Sequence, residues 1–142
     1  MKQKLNCILL IDDDEPTNFL TQIFLEEYEC CQHIRSVQSG EEALEYLVRS
    51  NRGDDPEKYP NPDLIFLDIN MPAMNGWEFL DQYTKMGIGH EHKTIVVMLT
   101  TSLFPEDKAK AERRPEIAGF EHKPLTIENI DRIFRKHFAA YI

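Results

Sequence analysis

The chain has no long hydrophobic run: none of its apolar stretches approaches the ~18 residues needed to cross a bilayer. Met1 to Asn6, with the short run after it, also lacks the extended apolar core and small-residue cleavage site of a signal peptide. A cytoplasmic protein without membrane insertion is therefore expected. Cysteine is scarce, at three residues, Cys7, Cys30 and Cys31. Their spacing matches no zinc motif, their count is odd, and the adjacent pair could bridge only through a strained loop, so they read as buried or incidental thiols. Positive charge is also short: 16 Lys and Arg against 25 Asp and Glu give a formal net charge of −9. That balance opposes sequence-independent binding to phosphate backbones and argues against direct contact with nucleic acid. It suits solubility and polar or basic protein partners. Internal repeats and low-complexity tails are missing as well.

What is present fits one domain. A length of 142 residues with 42% hydrophobic composition can bury a sizeable core, and residues 1–142 read as a single domain with no output domain after the last helix. Residues 5–11 are a continuous apolar run ending in three aspartates, too short for a helix and patterned like a strand covered on both faces. From Pro16 to about Glu29, Leu20, Ile23, Phe24 and Tyr28 fall at helical spacing, with Asp14 as N-cap and Pro16 in the first turn. Residues 33–37 form a second strand. Ser39 and Glu42 then have capping-box spacing ahead of Ala43, Leu44, Leu47 and Val48. Asp63–Asp68 is the third strand, followed by a helix after Asn75-Gly76 with Trp77, Phe79, Leu80 and Tyr83 on its core face. Thr94–Leu99, rich in β-branched residues, is the fourth strand. A short polar helix over about 105–113, a fifth strand at 118–121 and a helix capped by Thr126 complete the chain. That last helix carries Ile127, Ile130, Ile133, Phe134 and Phe138 on one stripe, with Arg132, Arg135 and Lys136 toward its C-terminal end. Ser50–Pro62 is a long irregular loop, either functional or mobile.

Strict alternation of strands and helices predicts an α/β fold with a parallel sheet, right-handed crossovers and helices on both faces. In such sheets ligands bind beyond the carboxyl ends of the strands. Those ends carry Asp12 and Asp13, Asp68, Thr100, and Lys123 before Pro124: three carboxylates, a hydroxyl and an ammonium around one crevice. Clustered carboxylates repel and push a pKa upward unless a cation neutralises them, so the set predicts a cation and phosphate site.

The motifs LLIDDD, FLDINMPAMNG, MLTTS and GFEHKP, in this order and at strand ends, make the chain similar over essentially its whole length to response-regulator receiver domains. The resemblance implies a flavodoxin-like doubly wound (βα)5 fold with strand order 2-1-3-4-5. It implies Mg²⁺ (or Mn²⁺) bound by Asp13, Asp68 and the Asn70 backbone carbonyl, with Asp12 holding a metal-bound water. Asp68 is then the phosphoacceptor, served by a sensor histidine kinase or histidine phosphotransfer protein. Lys123 and the Thr100 hydroxyl contact the phosphoryl oxygens, and Lys123 pairs with Asp68 before transfer, across a cis Lys123-Pro124 bond. Phe120 joins Thr100 as the aromatic switch. The chain is on this view no enzyme with an external substrate, though it catalyses its own phosphorylation and dephosphorylation. Output passes through the fourth helix, fifth strand and fifth helix, roughly Pro105 to Tyr141, to a downstream target or a receiver dimer. The long loop and NPDLIFLDINMP are similar in particular to single-domain receivers found with bacterial phytochrome kinases.

Two other readings compete. A haloacid-dehalogenase-type phosphohydrolase also uses an aspartate after its first strand, and Asp12 and Asp14 have its spacing, but Thr17 stands one residue late and no acidic pair follows Lys123. A degenerate receiver could serve purely as a docking module, although all five reactive positions are filled. Among single residues, Asp14 reads as a cap, His90 and His92 as solvent-exposed, and Trp77, Phe79 and Tyr83 as core. An EF-hand reading of the aspartate string fails for want of its glycine and distal glutamate.

Overall fold

Five short strands join into one parallel sheet of order β2-β1-β3-β4-β5 in the computed structural model, which describes residues 3–87 and 93–141. The elements run β1 Leu5–Ile11, α1 Glu15–Tyr28, β2 Cys31–Val37, α2 Gly40–Arg52, β3 Leu64–Leu67, α3 Gly76–Met86, β4 Ile95–Thr100, α4 Pro105–Glu112, β5 Ile117–His122 and α5 Ile127–His137, with a short 3-10 turn at Ala139–Tyr141. Apolar strands that must be covered on both faces account for the parallel sheet with helices on each side, and the strand order is the flavodoxin-like one. His90 and His92 lie outside the described residues.

Alternation along the three central strands sorts the core into two layers. Leu9, Ile11, Ile65, Leu67, Val96 and Met98 pack with residues of α2, α3 and α4, among them Tyr46, Leu47, Phe79, Leu80 and Ala111. Ile8, Leu10, Leu64, Phe66, Val97 and Leu99 pack with Leu25 of α1 and Ile130, Ile133 and Phe134 of α5. Among the described residues no helix is long and apolar enough to cross a membrane, and Cys7, Cys30 and Cys31 are free thiols.

Three expectations need correction. The inward face of α1 is Asn18, Thr21 and Leu25, whereas Leu20 and Ile23 are 42% and 38% exposed. The Asn18 amide donates to the Asp12 carbonyl at 3.0 Å, which turns a polar residue inward and leaves Leu20 and Ile23 outside, while Phe24 and Tyr28 pack partly buried against the core as expected. β2 begins two residues earlier than predicted, because Cys31 pairs in register with Leu5. The long loop is also shorter, since α2 continues through Ser50 to Arg52 and stops at Gly53, whose φ of 79° suits a left-handed cap. What remains is tied down. Tyr46 Oη donates to the Pro60 carbonyl at 2.6 Å, Ser50 Oγ to Asn61 Oδ1 at 2.5 Å and Arg35 to the Glu57 carbonyl at 2.7 Å.

Helix caps explain the element starts. Asp14, Ser39 and Thr126 accept from the backbone N–H groups of Thr17, Glu42 and Asn129, as their types predict. Ser39 makes only this half of the expected box, whereas the reciprocal box forms at Asn75 and Glu78 ahead of α3.

Candidate functional site

Backbone pairing sets the positions of the strand-end residues. Asp12 N–H donates to the Val37 carbonyl at 3.2 Å, Asp68 N–H to Ile11 at 2.9 Å and Lys123 N–H to Thr100 at 2.8 Å. Each is therefore fastened to a neighbouring strand, and their side chains emerge along one edge. α3 presses on this edge from behind. A Cβ at Gly76 would lie 2.5 Å from the Asp68 carbonyl oxygen, so only glycine permits the close approach.

The structure brings Asp12, Asp13 and Asp68 together, with one carboxylate oxygen from each within 4.8 Å of the others. Asp12 and Asp68 are buried, whereas Asp13 is exposed. Lys123 Nζ lies 2.5 Å from Asp12 Oδ2 and 3.3 Å from Asp68 Oδ1, so one ammonium serves both carboxylates and sits nearer Asp12. Asp12 Oδ1 also accepts from Asp14 N–H at 2.9 Å. The Lys123-Pro124 bond is cis.

The charges do not balance. Burial first, and the adjacent Asp12 charge second, push the Asp68 carboxyl up to about 6 despite the opposing pull of Lys123. Burial pulls the Lys123 ammonium down, but its hydrogen bond and ion pair with Asp12, followed by Asp68, outweigh that and leave its pKa above the ordinary lysine value. One lysine thus leaves surplus negative charge among three oxygen donors. An all-oxygen donor set with excess charge fits a hard divalent cation. Asn70 is exposed in the loop two residues beyond Asp68.

Thr100 is fully buried, and the alternation of β4 places it on the sheet face shared with α4, opposite Leu99. Its Oγ1 accepts from Ser102 N–H at 3.1 Å. Phe120 pairs in register with Met98, packs partly buried against the same layer and meets His122 edge-on at 5.6 Å. Thr100 and Phe120 therefore border one layer, while Asp12 and Asp68 lie toward α1 and α5.

The other assigned residues keep local duties. Asp14, needed as a catalytic partner by a phosphohydrolase, accepts from Thr17 N–H at 3.2 Å and caps α1. Trp77, Phe79 and Tyr83 are core. Two features went unread in the sequence: the support that Asn18 gives Asp12, and the hydrogen bond from Ser102 to Asp107. For the first, the sole signal is an Asn at the fourth position of a helix that follows an aspartate. For the second, a serine five residues before an acid near a helix start is too common to single out.

Residues 8–135 match the family model described as the response regulator receiver domain. The fold is similar to the crystal structure of a two component response regulator from Cytophaga hutchinsonii, at 35% identity and TM-score 0.84 over 94% of this chain and 97% of that one. It is also similar to the bacteriophytochrome response regulator RtBRR, at 28% identity and TM-score 0.72 over 92% and 76% of the two chains. The chemotaxis protein CheY of Halobacterium salinarum is 29% identical over 119 residues, 83% of this chain and 84% of its own length. Two further curated relatives are much longer than the match, which spans 21% and 20% of their lengths.

Proposed function

The chain belongs to the response regulator receiver family, and from that premise we propose that it is a phosphoacceptor of two-component signalling that carries the phosphoryl group on Asp68. The observation that carries this reading is the shared ammonium: Lys123 reaches both Asp12 and Asp68, in a crevice where one lysine leaves three carboxylates under-neutralised. In the transfer, an Asp68 oxygen attacks phosphorus, a P–O bond forms, the P–N bond of a phosphohistidine breaks and its imidazole leaves. Burial and the adjacent Asp12 charge already disfavour the ionised Asp68, so this carboxylate needs neutralisation before it can approach an anionic group.

Asp12, Asp13 and Asp68, with the Asn70 carbonyl, would hold Mg²⁺ or Mn²⁺. When bound, that cation supplies the charge neutralisation that Lys123 alone leaves incomplete. Lys123 then follows the phosphoryl oxygens as a point charge. Thr100 turns its hydroxyl toward another oxygen, and Phe120, in the same layer, follows. The consequence leaves through α4, β5 and α5 to a protein partner or a second receiver. The donor is a sensor histidine kinase or a histidine phosphotransfer protein in the cytoplasm, and the likeness to RtBRR makes phytochrome-type kinases the first to try. The chain acts as a signalling module that catalyses its own phosphorylation and dephosphorylation, with residues 1–142 as a single receiver unit.

Incubation with acetyl phosphate and Mg²⁺ should give an alkali-labile phosphoryl mass increase that is abolished in Asp68→Asn. A wild-type chain that gains no adduct from acetyl phosphate or from any phosphorylated histidine donor would favour the docking-module reading instead.

A further inference from the structure

Helix α4 is held by few contacts. Of its eight residues only Ala111 is buried, and its N-cap, Phe104, offers no side-chain cap. Phe104 and the preceding Leu103 project outward, 70% and 85% exposed. The role of the cap passes to Ser102, two residues before Phe104. Its hydroxyl oxygen accepts from Phe104 N–H at 3.3 Å, and its hydroxyl proton is donated to the Asp107 carboxylate in the first turn. Asp107 N–H in turn donates to the Phe104 carbonyl at 3.1 Å, closing the turn. The arrangement does the work of a capping box whose first member has moved outside the helix. Ser102 is itself buried, and its backbone N–H is the donor to Thr100 Oγ1.

One buried serine therefore grips the Thr100 hydroxyl with its backbone and α4 with its side chain. We propose that Asp107 is a positioning residue: through Ser102 it holds Thr100 and the start of α4 in the resting arrangement, and it opposes the turn of Thr100 toward a phosphoryl group. This rests on the receiver reading and deepens it by naming what sets the resting side of the switch. The logic is differential. For Thr100 to swing away, the Ser102 N–H must lose its acceptor, and the residue can follow only if its hydroxyl gives up Asp107. With a single buried side chain behind it, α4 has little else to resist displacement. An interaction made in one state and lost in the other biases the equilibrium between them.

The full chain supplies its own reporter. Trp77 is the only tryptophan, and the Lys110 ammonium of α4 lies 4.6 Å from its ring centroid, so a shift of α4 alters its fluorescence. The experiment titrates beryllofluoride, a phosphoryl mimic, in the presence of Mg²⁺, following Trp77 emission in wild type, Asp107→Ala, Asp107→Asn, and Asp107→Ala combined with Ser102→Ala. Removing the acceptor should tighten apparent mimic affinity about fivefold or more in Asp107→Ala, the low end of typical coupling. Asp107→Asn, which keeps an oxygen acceptor, should return most of the way to wild type. The Ser102→Ala, Asp107→Ala pair should be no tighter than Asp107→Ala alone, because both remove one bond. Exchange of the Ser102 to Asp107 amides in the mimic-free protein should be faster in Asp107→Ala and rescued by Asn. A helix merely frayed by the substitution would weaken or leave unchanged the mimic affinity, and that result overturns the proposal. So does an Asp107→Ala affinity within twofold of wild type when the wild type responds normally. A wild type that ignores the mimic would instead overturn the receiver reading, and the tether with it.

Discussion

Helices α4 and α5 follow the two strands whose ends carry Thr100 and Lys123, yet they are attached to the sheet in opposite ways. α5 buries Ile130, Ile133 and Phe134 against Leu10, Phe66 and Leu99, and Tyr28 Oη of α1 donates to Asp131 at 2.7 Å across the helix pair. α4 buries one methyl group and otherwise relies on Ser102, Asp107 and the Lys110–Trp77 contact. Both connections cover a site residue, so topology does not account for the difference. It arises from side-chain supply: one helix carries a full apolar stripe and the other PEDKAKAE. Apolar area fixes the α5 side, the helix that follows Lys123. On the α4 side a few polar bonds are in control, and these can be exchanged at small cost.

The comparison is tested hardest where the anchor is strongest. Phe134 is fully buried and meets Tyr28 at 5.4 Å and Phe138 at 5.2 Å between ring centroids. Phe134→Ala should cost about 3–5 kcal/mol, the usual range for a buried phenylalanine truncated in a packed core. A urea unfolding curve with a midpoint close to wild type would show that α5 is no anchor.

The next effect belongs to the carboxylate cluster on the α5 side of the sheet and appears as a pH dependence. The Asp68 carboxyl rises from the ordinary 3.8 to about 6 in the folded, metal-free chain, first through burial and then through Asp12. The native state thus holds this proton more tightly than the unfolded state. The associated stability is fully present below pH 3.8 and is lost as pH rises through about 6. The gap between the two values corresponds to at most about 3 kcal/mol. Asp68→Asn keeps the shape without the charge. In chelator-treated samples its stability advantage over wild type should grow between about pH 4 and 6.5 and then level off. Urea melts at several pH values read this directly, and a difference that stays flat with pH would place the unbalanced charge elsewhere.

Most of the fold could be read before the structure because its signals are local. Apolar runs such as LNCILLI and TIVVML, and caps such as Asp14 and Thr126, need no knowledge of distant residues. The crevice was legible for a related reason: strand order places strand ends together, and the polar residues at those ends are few. What escaped depended on contacts between segments. Asn18 faces inward because a carbonyl six residues earlier needs its amide, which no hydropathy pattern shows. Ser50 to Arg52 read as loop beside the prolines and charges that follow, although Gly53 marks a helix end. Asp107 lies in a helix legible in the sequence only as short and polar, and its tie to the buried hydroxyl of Ser102 needs the fold to show it.

The smallest expected effect sharpens the contrast at its weak end. Ala111 is the one buried residue of α4, yet its side chain is a single methyl group, so truncation removes little apolar area. Ala111→Gly should cost roughly 1 kcal/mol, most of it the backbone entropy of glycine in a helix rather than lost packing. Because α4 is joined to the core by so little, that cost should fall on local opening and not on global unfolding. Amides of residues 106–112 should exchange several-fold faster while the urea midpoint barely moves, in contrast to Phe134→Ala, where both should shift together. A fall in the global midpoint as large as that of Phe134→Ala would mean that α4 is an integral part of the core, and the division between a fixed helix and a movable one would have to be abandoned.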